Sequence, residues 1–140
     1  MRRLYVIFLS FVLFLLISAC SLNDDGINFH YEALKITSVE MPESFDLHQI
    51  YTIKVSIMRP NDCTLIEGFD VTKSELTVRN VYVIGAILEK TDCQVMDQEV
   101  QDTFQFEVLY NEPYLFRFFT GNDSNGEAQY LEIEVPVNEG

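Results

Sequence analysis

The chain is expected to be all-β, about seven antiparallel strands packed as a sandwich, and three observations predict it. Apolar residues recur at every second position almost everywhere from residue 29 onward. Turn-forming residues punctuate that alternation at regular intervals, and no window of a dozen residues carries a clean helical stripe.

The elements follow in order. Residues 29–39 form the first expected strand. In "QIYTIKVSIMRP", Tyr51, Ile53, Val55 and Ile57 share one face while Thr52, Lys54 and Ser56 take the other, the pattern of a half-buried strand ended by "RPNDC". A short strand is expected over 65–71 and a longer one over 76–88, where "VYVIGAILE" is apolar at both parities. That marks either a central strand covered on both faces or an uncovered partner surface. "TFQFEVLY" sets Phe104, Phe106, Val108 and Tyr110 inward against Gln105 and Glu107. "YLFRFF" does the same with Tyr114, Phe116 and Phe118, leaving Phe119 off-parity and open to exposure. The last strand, "YLEIEVPV", points Leu131, Ile133, Val135 and Val137 inward. Asn111-Glu112-Pro113 and "TGNDSNGEA" separate the final three strands.

About seven short strands in this length describe an immunoglobulin-like sandwich. Tyr114, just after a turn at the start of the sixth strand, occupies the place of a tyrosine-corner residue. The chain has no tryptophan, and its cysteines fall outside the strands that carry them in antibody domains. A closed eight-stranded barrel, a small ligand carrier or inhibitor with Phe104 and Phe116 lining its cavity, is the alternative.

The N-terminus sets the expected address. Met1-Arg2-Arg3 precedes sixteen residues, 4–19, that only Ser10 and Ser18 interrupt. A basic start, an apolar stretch and a small-residue site make a secretory signal. The run falls short of the roughly 20 residues that span a bilayer. Ile17-Ser18-Ala19-Cys20 resembles the bacterial lipobox, which implies diacylglycerol on the Cys20 thiol, cleavage before it, and acylation of the new amino group. The organisation expected is therefore a lipoprotein signal peptide over 1–19, a lipidated cysteine and tether over 20–28, and a sandwich domain over 29–140. Ser21 in place of an aspartate after the cysteine resembles the outer-membrane sorting pattern. Asp24-Asp25 resembles the acidic surface-export signal of Bacteroidetes lipoproteins. Periplasmic and outward display both remain open.

Cleavage removes Arg2 and Arg3 from the 9 basic residues and none of the 22 acidic ones, so 7 face 22 and the mature charge is −15 on 121 residues. Nucleic acid is excluded as a partner class, because phosphate binding needs a basic footprint. Cys63 and Cys93 remain as an even pair in an oxidising setting and read as one disulfide. His30 and His48 stand in no metal-ligand spacing, and no metal or cofactor is expected. "GNDSNGEAQYLE" has Asp123, Asn125 and Gly126 spaced as in a calcium loop, with Glu132 six residues past the glycine. Gly121 replaces the first ligand, however, and Glu132 belongs to a strand, so a polar hairpin loop is the expectation. No nucleophile motif occurs, no catalytic residue is assigned, and an enzyme is not expected.

"RPNDCTLIEGFDV", "TDCQ", "FQFEV" and "GNDSNGEAQYLEIEVPV" together resemble a group of small all-β lipoproteins of the Bacteroidetes, over about residues 50–137. The resemblance implies lipidation and supports pairing Cys63 with Cys93; it implies no activity. The expected role is a non-catalytic, lipid-anchored envelope module. Its membrane contact is the lipid on Cys20, its partner is an envelope protein or glycan, and loops 60–64 and 121–127 present the contact surface.

Overall fold

Alternation fixes which side chains each strand turns inward, and the fold is the arrangement that lets two such faces meet. The computed structural model describes residue 26 and residues 28–138. The expected signal segment and Cys20 lie outside the described residues. Ten strands follow in order: β1 (Phe29–Leu34), β2 (Ile36–Glu40), β3 (Phe45–Asp46), β4 (Ile50–Asn61), β5 (Thr64–Lys73), β6 (Val78–Leu88), β7 (Val95–Glu107), β8 (Tyr114–Asn122), β9 (Ala128–Val135) and β10 (Val137–Asn138). No described helix is long and apolar enough to cross a membrane.

The seven expected strands are all present, and breaks within them make most of the difference in number. The first divides at Lys35, where the chain leaves one sheet for the other: β1 pairs with β6, whereas β2 pairs with β4. The last divides at Pro136, which has no N–H to give to a ladder. Its C-terminal piece, β10, lies parallel to the two-residue β3.

One sheet has three strands in the order β2-β4-β7. The other has five: β5 and β9 form its edges, and β6 pairs on one side with β5 and on the other with both β1 and β8. The sheets pack as a sandwich and do not close into a barrel. Besides the short β3–β10 pair, pairing departs from the wholly antiparallel expectation where Val78–Val81 of β6 lie parallel to Leu115–Phe118 of β8. The cause is the route of the chain. It leaves β6, returns along the facing sheet as β7, and re-enters beside β6 running in the same direction.

The core is aromatic at its centre. Phe45, Tyr114, Phe116 and Phe118 are fully buried among Ile53, Val55, Ile57, Val81, Val83 and Val108. Across the two sheets, Phe106 of β7 meets Phe116 of β8 edge-on at 4.9 Å, and Phe69 of β5 meets Phe104 of β7 at 5.0 Å. Leu131, expected inward, is 37% exposed, because it lies on β9 at the rim of the wider sheet. Phe119, expected open to exposure, is buried instead: it packs on the opposite face of its sheet against Tyr82 and Tyr130.

Tyr114 makes the expected corner. Its hydroxyl accepts hydrogen bonds from the backbone N–H of Leu109 and of Tyr110, each 3.0 Å, and so fastens the turn before β8. Tyr114→Phe keeps the ring and strands both donors in a partly buried turn. Denaturant unfolding of this variant is expected to show a loss of about 1–3 kcal/mol. Arg79 extends inward from the same end of β6. Buried to 8% exposure, it donates to the carbonyls of Glu75, Leu76 and Val78 and lies over the rings of Tyr114 and Phe106 at 5.3 and 5.9 Å.

Candidate functional site

Loops 60–64 and 121–127 are distant in sequence, and strand direction brings them together. β4 and β8 both run toward the end of the sandwich at which β1 begins, so the turn after each lies there. Between them is a groove of about 260 Å³, lined by Leu34, Met58 and Phe119 on its apolar side and by Glu32, Lys35 and Asn122 among its polar residues. Pro60 near the end of β4 and Gly121 and Asn122 at the end of β8 complete its wall, where the chain enters the two loops. Gly121 sits at the bulge in the β8–β9 ladder with φ 111°, a conformation that favours glycine. This volume lies just below the range typical of small-ligand pockets, and it suits a partner's side chain or a small polar group with an apolar body.

The first loop is built by its own polar side chains. Asn61 Oδ1 accepts from the N–H of Cys63 and the hydroxyl of Thr64, and the Arg59 guanidinium donates to the carbonyls of Asp62 and Thr64. The turn carries the chain from the three-stranded sheet to the five-stranded one; the 89–94 connection carries it back. Cys63 and Cys93 join these two crossings as a disulfide with a Cα–Cα distance of 5.6 Å, as expected. Asp62 and Gln94 add a backbone hydrogen bond, N–H of Asp62 to C=O of Gln94, and a second from Gln94 N–H to the Asp62 carboxylate. Asp62 and the two cysteines are the one grouping of potential metal ligands among the described residues, and the sulfur atoms are spent on each other.

In the second loop Asp123 Oδ1 accepts from the N–H groups of Asn125 and Glu127, and the Asp123 N–H donates to the Glu127 carbonyl. The carboxylate thus organises a hairpin turn, with Gly126 at φ 83°. Glu132, the distal ligand a calcium loop would need, is instead turned to Arg117 at 2.8 Å. The structure does not bring those two acids together.

The outer faces of the two sheets differ sharply. On the three-stranded sheet the register sets Thr52, Lys54 and Ser56 of β4 beside Gln101, Thr103 and Gln105 of β7. On the five-stranded sheet, Tyr82, Phe119 and Tyr130 form an aromatic cluster in which the hydroxyls of Tyr82 and Tyr130 hydrogen-bond and Arg117 lies 4.9 Å over the Tyr130 ring. The hydrogen bond to Tyr130, then burial, pushes the Tyr82 phenol above its ordinary value. A raised pKa favours the folded state below the unfolded value, and that contribution disappears as pH climbs through the folded one. Phenolate absorbance is therefore expected to show Tyr82 titrating later than a free tyrosine at about pH 10, and Tyr82→Phe to remove that late phase.

Sequence reasoning placed both loops but missed the groove, because Leu34, Met58 and Phe119 converge only through the switch of sheet at Lys35. Comparison with protein-family models, with curated protein sequences and with solved structures finds no match.

Proposed function

We propose that the protein is a non-catalytic, lipid-anchored protein of the bacterial cell envelope whose β-sandwich serves as a binding module. The observation that carries this reading is Ile17-Ser18-Ala19-Cys20 at the end of an apolar run with a basic start, nine residues before the first strand. The resemblance of residues 50–137 to small Bacteroidetes lipoproteins supports it, and the resemblance of Ser21 after the cysteine to the outer-membrane sorting pattern supports attachment to that membrane. A disulfide between Cys63 and Cys93 accords with an exported, oxidising location. The partner is an envelope protein or a glycan. Its contact surface is the groove between loops 60–64 and 121–127, at the end where the chain enters from the anchor. The rings of Phe116 and Phe106 fill the space that a carrier's cavity would occupy, which favours a binding module over the ligand carrier.

Cys20→Ser is expected to move the protein from the membrane to the soluble fraction with its thermal unfolding unchanged, because several acyl chains hold a protein firmly and the buried core is built by residues of the strands and their turns. A variant that still fractionates with membranes overturns the lipoprotein reading. Crosslinking in intact cells, with Pro60 and Asn122 replaced by a photoreactive residue, is expected to capture one recurrent envelope partner. Capture equal to that from a site on the polar outer face of the three-stranded sheet overturns the groove as the contact surface.

A further inference from the structure

We infer that the half of the five-stranded sheet's outer face nearest the N-terminus rests on the lipid surface that anchors Cys20; this rests on the lipoprotein reading above. Pairing register defines the patch. Phe29 lies opposite Leu88, Tyr31 and Leu65 flank Ala86 from either side of β6, and Ala33 lies opposite Ile84. These seven positions share one face, and none is charged in a chain with 22 acidic residues. Two acids lie nearby: Glu67, exposed as the extra residue of the bulge on edge strand β5, and Glu89, paired with His30 at 3.7 Å. Phe29, Tyr31 and Leu65 are 50%, 63% and 45% exposed, with the two rings edge-on at 5.3 Å. No described element covers them.

The other half of the same face is different. There Asp70, Arg117, Glu132 and Glu134 stand among the side chains, and a surface carrying them belongs in water. The face is therefore graded, uncharged where β1 begins and charged toward the opposite end.

The length of chain ahead of β1 selects the occupant. Nine residue steps from Cys20 to Phe29 reach at most about 30 Å, so the lipid keeps the uncharged half within one tether length of the bilayer. Tyrosine and other aromatic rings favour the interface between headgroups and acyl chains. A second copy would bring together two molecules that each carry a charge of −15 after cleavage, a repulsion that counts against self-association through this face.

The absence of tryptophan makes the test clean. Full-length protein purified from membranes is reconstituted into phosphatidylcholine vesicles with bromine-labelled acyl chains. It carries either Tyr31→Trp or Phe29→Trp as reporter, or Leu109→Trp at the opposite end, where Leu109 is 51% exposed. Quenching several-fold stronger for the first two variants than for Leu109→Trp is the expected result. Equal, weak quenching in all three, with every variant still sedimenting with the vesicles, overturns the bilayer contact and leaves the anchor standing. Weak quenching together with protection of the Tyr31→Trp indole from an aqueous quencher also overturns it, in favour of a second copy. If wild-type and Cys20→Ser proteins both fail to sediment, the anchor reading itself falls and takes this inference with it.

Discussion

Reduction of the Cys63–Cys93 disulfide, or Cys63→Ser combined with Cys93→Ser, is expected to lower stability by about 3.5–4 kcal/mol in the chain-entropy account of a loop of this length. The bridge spans 30 residues, and that loop contains the whole of β5 and β6. For a domain of this size the loss corresponds to a fall in melting temperature of roughly 10–20 °C, read by thermal unfolding with and without reductant. The loop would remain folded at low temperature, because the bridge is not its only fastening. Arg59 holds the first crossing to the carbonyls of Asp62 and Thr64, and Asp62 and Gln94 hold the two crossings together. A drop of only a few degrees would mean that these hydrogen bonds, and not the covalent link, restrain the end of the sandwich. Double replacement is the sounder variant: a single one leaves a free thiol in an oxidising compartment.

What the chain's pattern revealed and what it concealed divide along a physical line. Inward faces were legible wherever a strand has one buried side, as in Tyr51 to Ile57 or Tyr114 to Phe118, because burial on one face imposes period two directly. The corner at Tyr114 was legible for the same local reason. The first half of β7 was not. "VMDQEVQD" is almost wholly exposed, yet it is strand because β4 offers a ladder along its whole length, with Arg59 paired to Gln98 and Asn61 to Val95. Pairing by a neighbour overrides local preference there. The burial of Phe119 was hidden likewise: its partners Tyr82 and Tyr130 come from strands on both sides of β8's own, and nothing in "YLFRFF" announces them. Both loops of the candidate site were readable as turns. That they share one groove depends on the crossing at Lys35 and on the parallel course of β6 and β8, which are tertiary facts.

Phe116→Ala is expected to be the most damaging single substitution, lowering stability by about 3–5 kcal/mol. Phe116 is fully buried, and its ring packs against those of Phe106 at 4.9 Å, Phe118 at 5.9 Å and Phe45 at 6.1 Å. Its neighbours cannot close the space it leaves. Phe106 is held on the facing sheet by its pairing with Tyr51, and Phe45 belongs to a two-residue strand fixed by β10 and by the bond from its own N–H to the Pro136 carbonyl. A cavity therefore persists, and its cost adds to the lost transfer energy. Leu109→Ala provides the contrast. That side chain is 51% exposed, so its removal is expected to cost well under 1 kcal/mol. Denaturant unfolding of the two variants side by side would separate a rigid aromatic core from one that can collapse: if Phe116→Ala costs no more than about 1 kcal/mol, the rings around it reorganise freely, and the solid core that argues against a ligand carrier is lost.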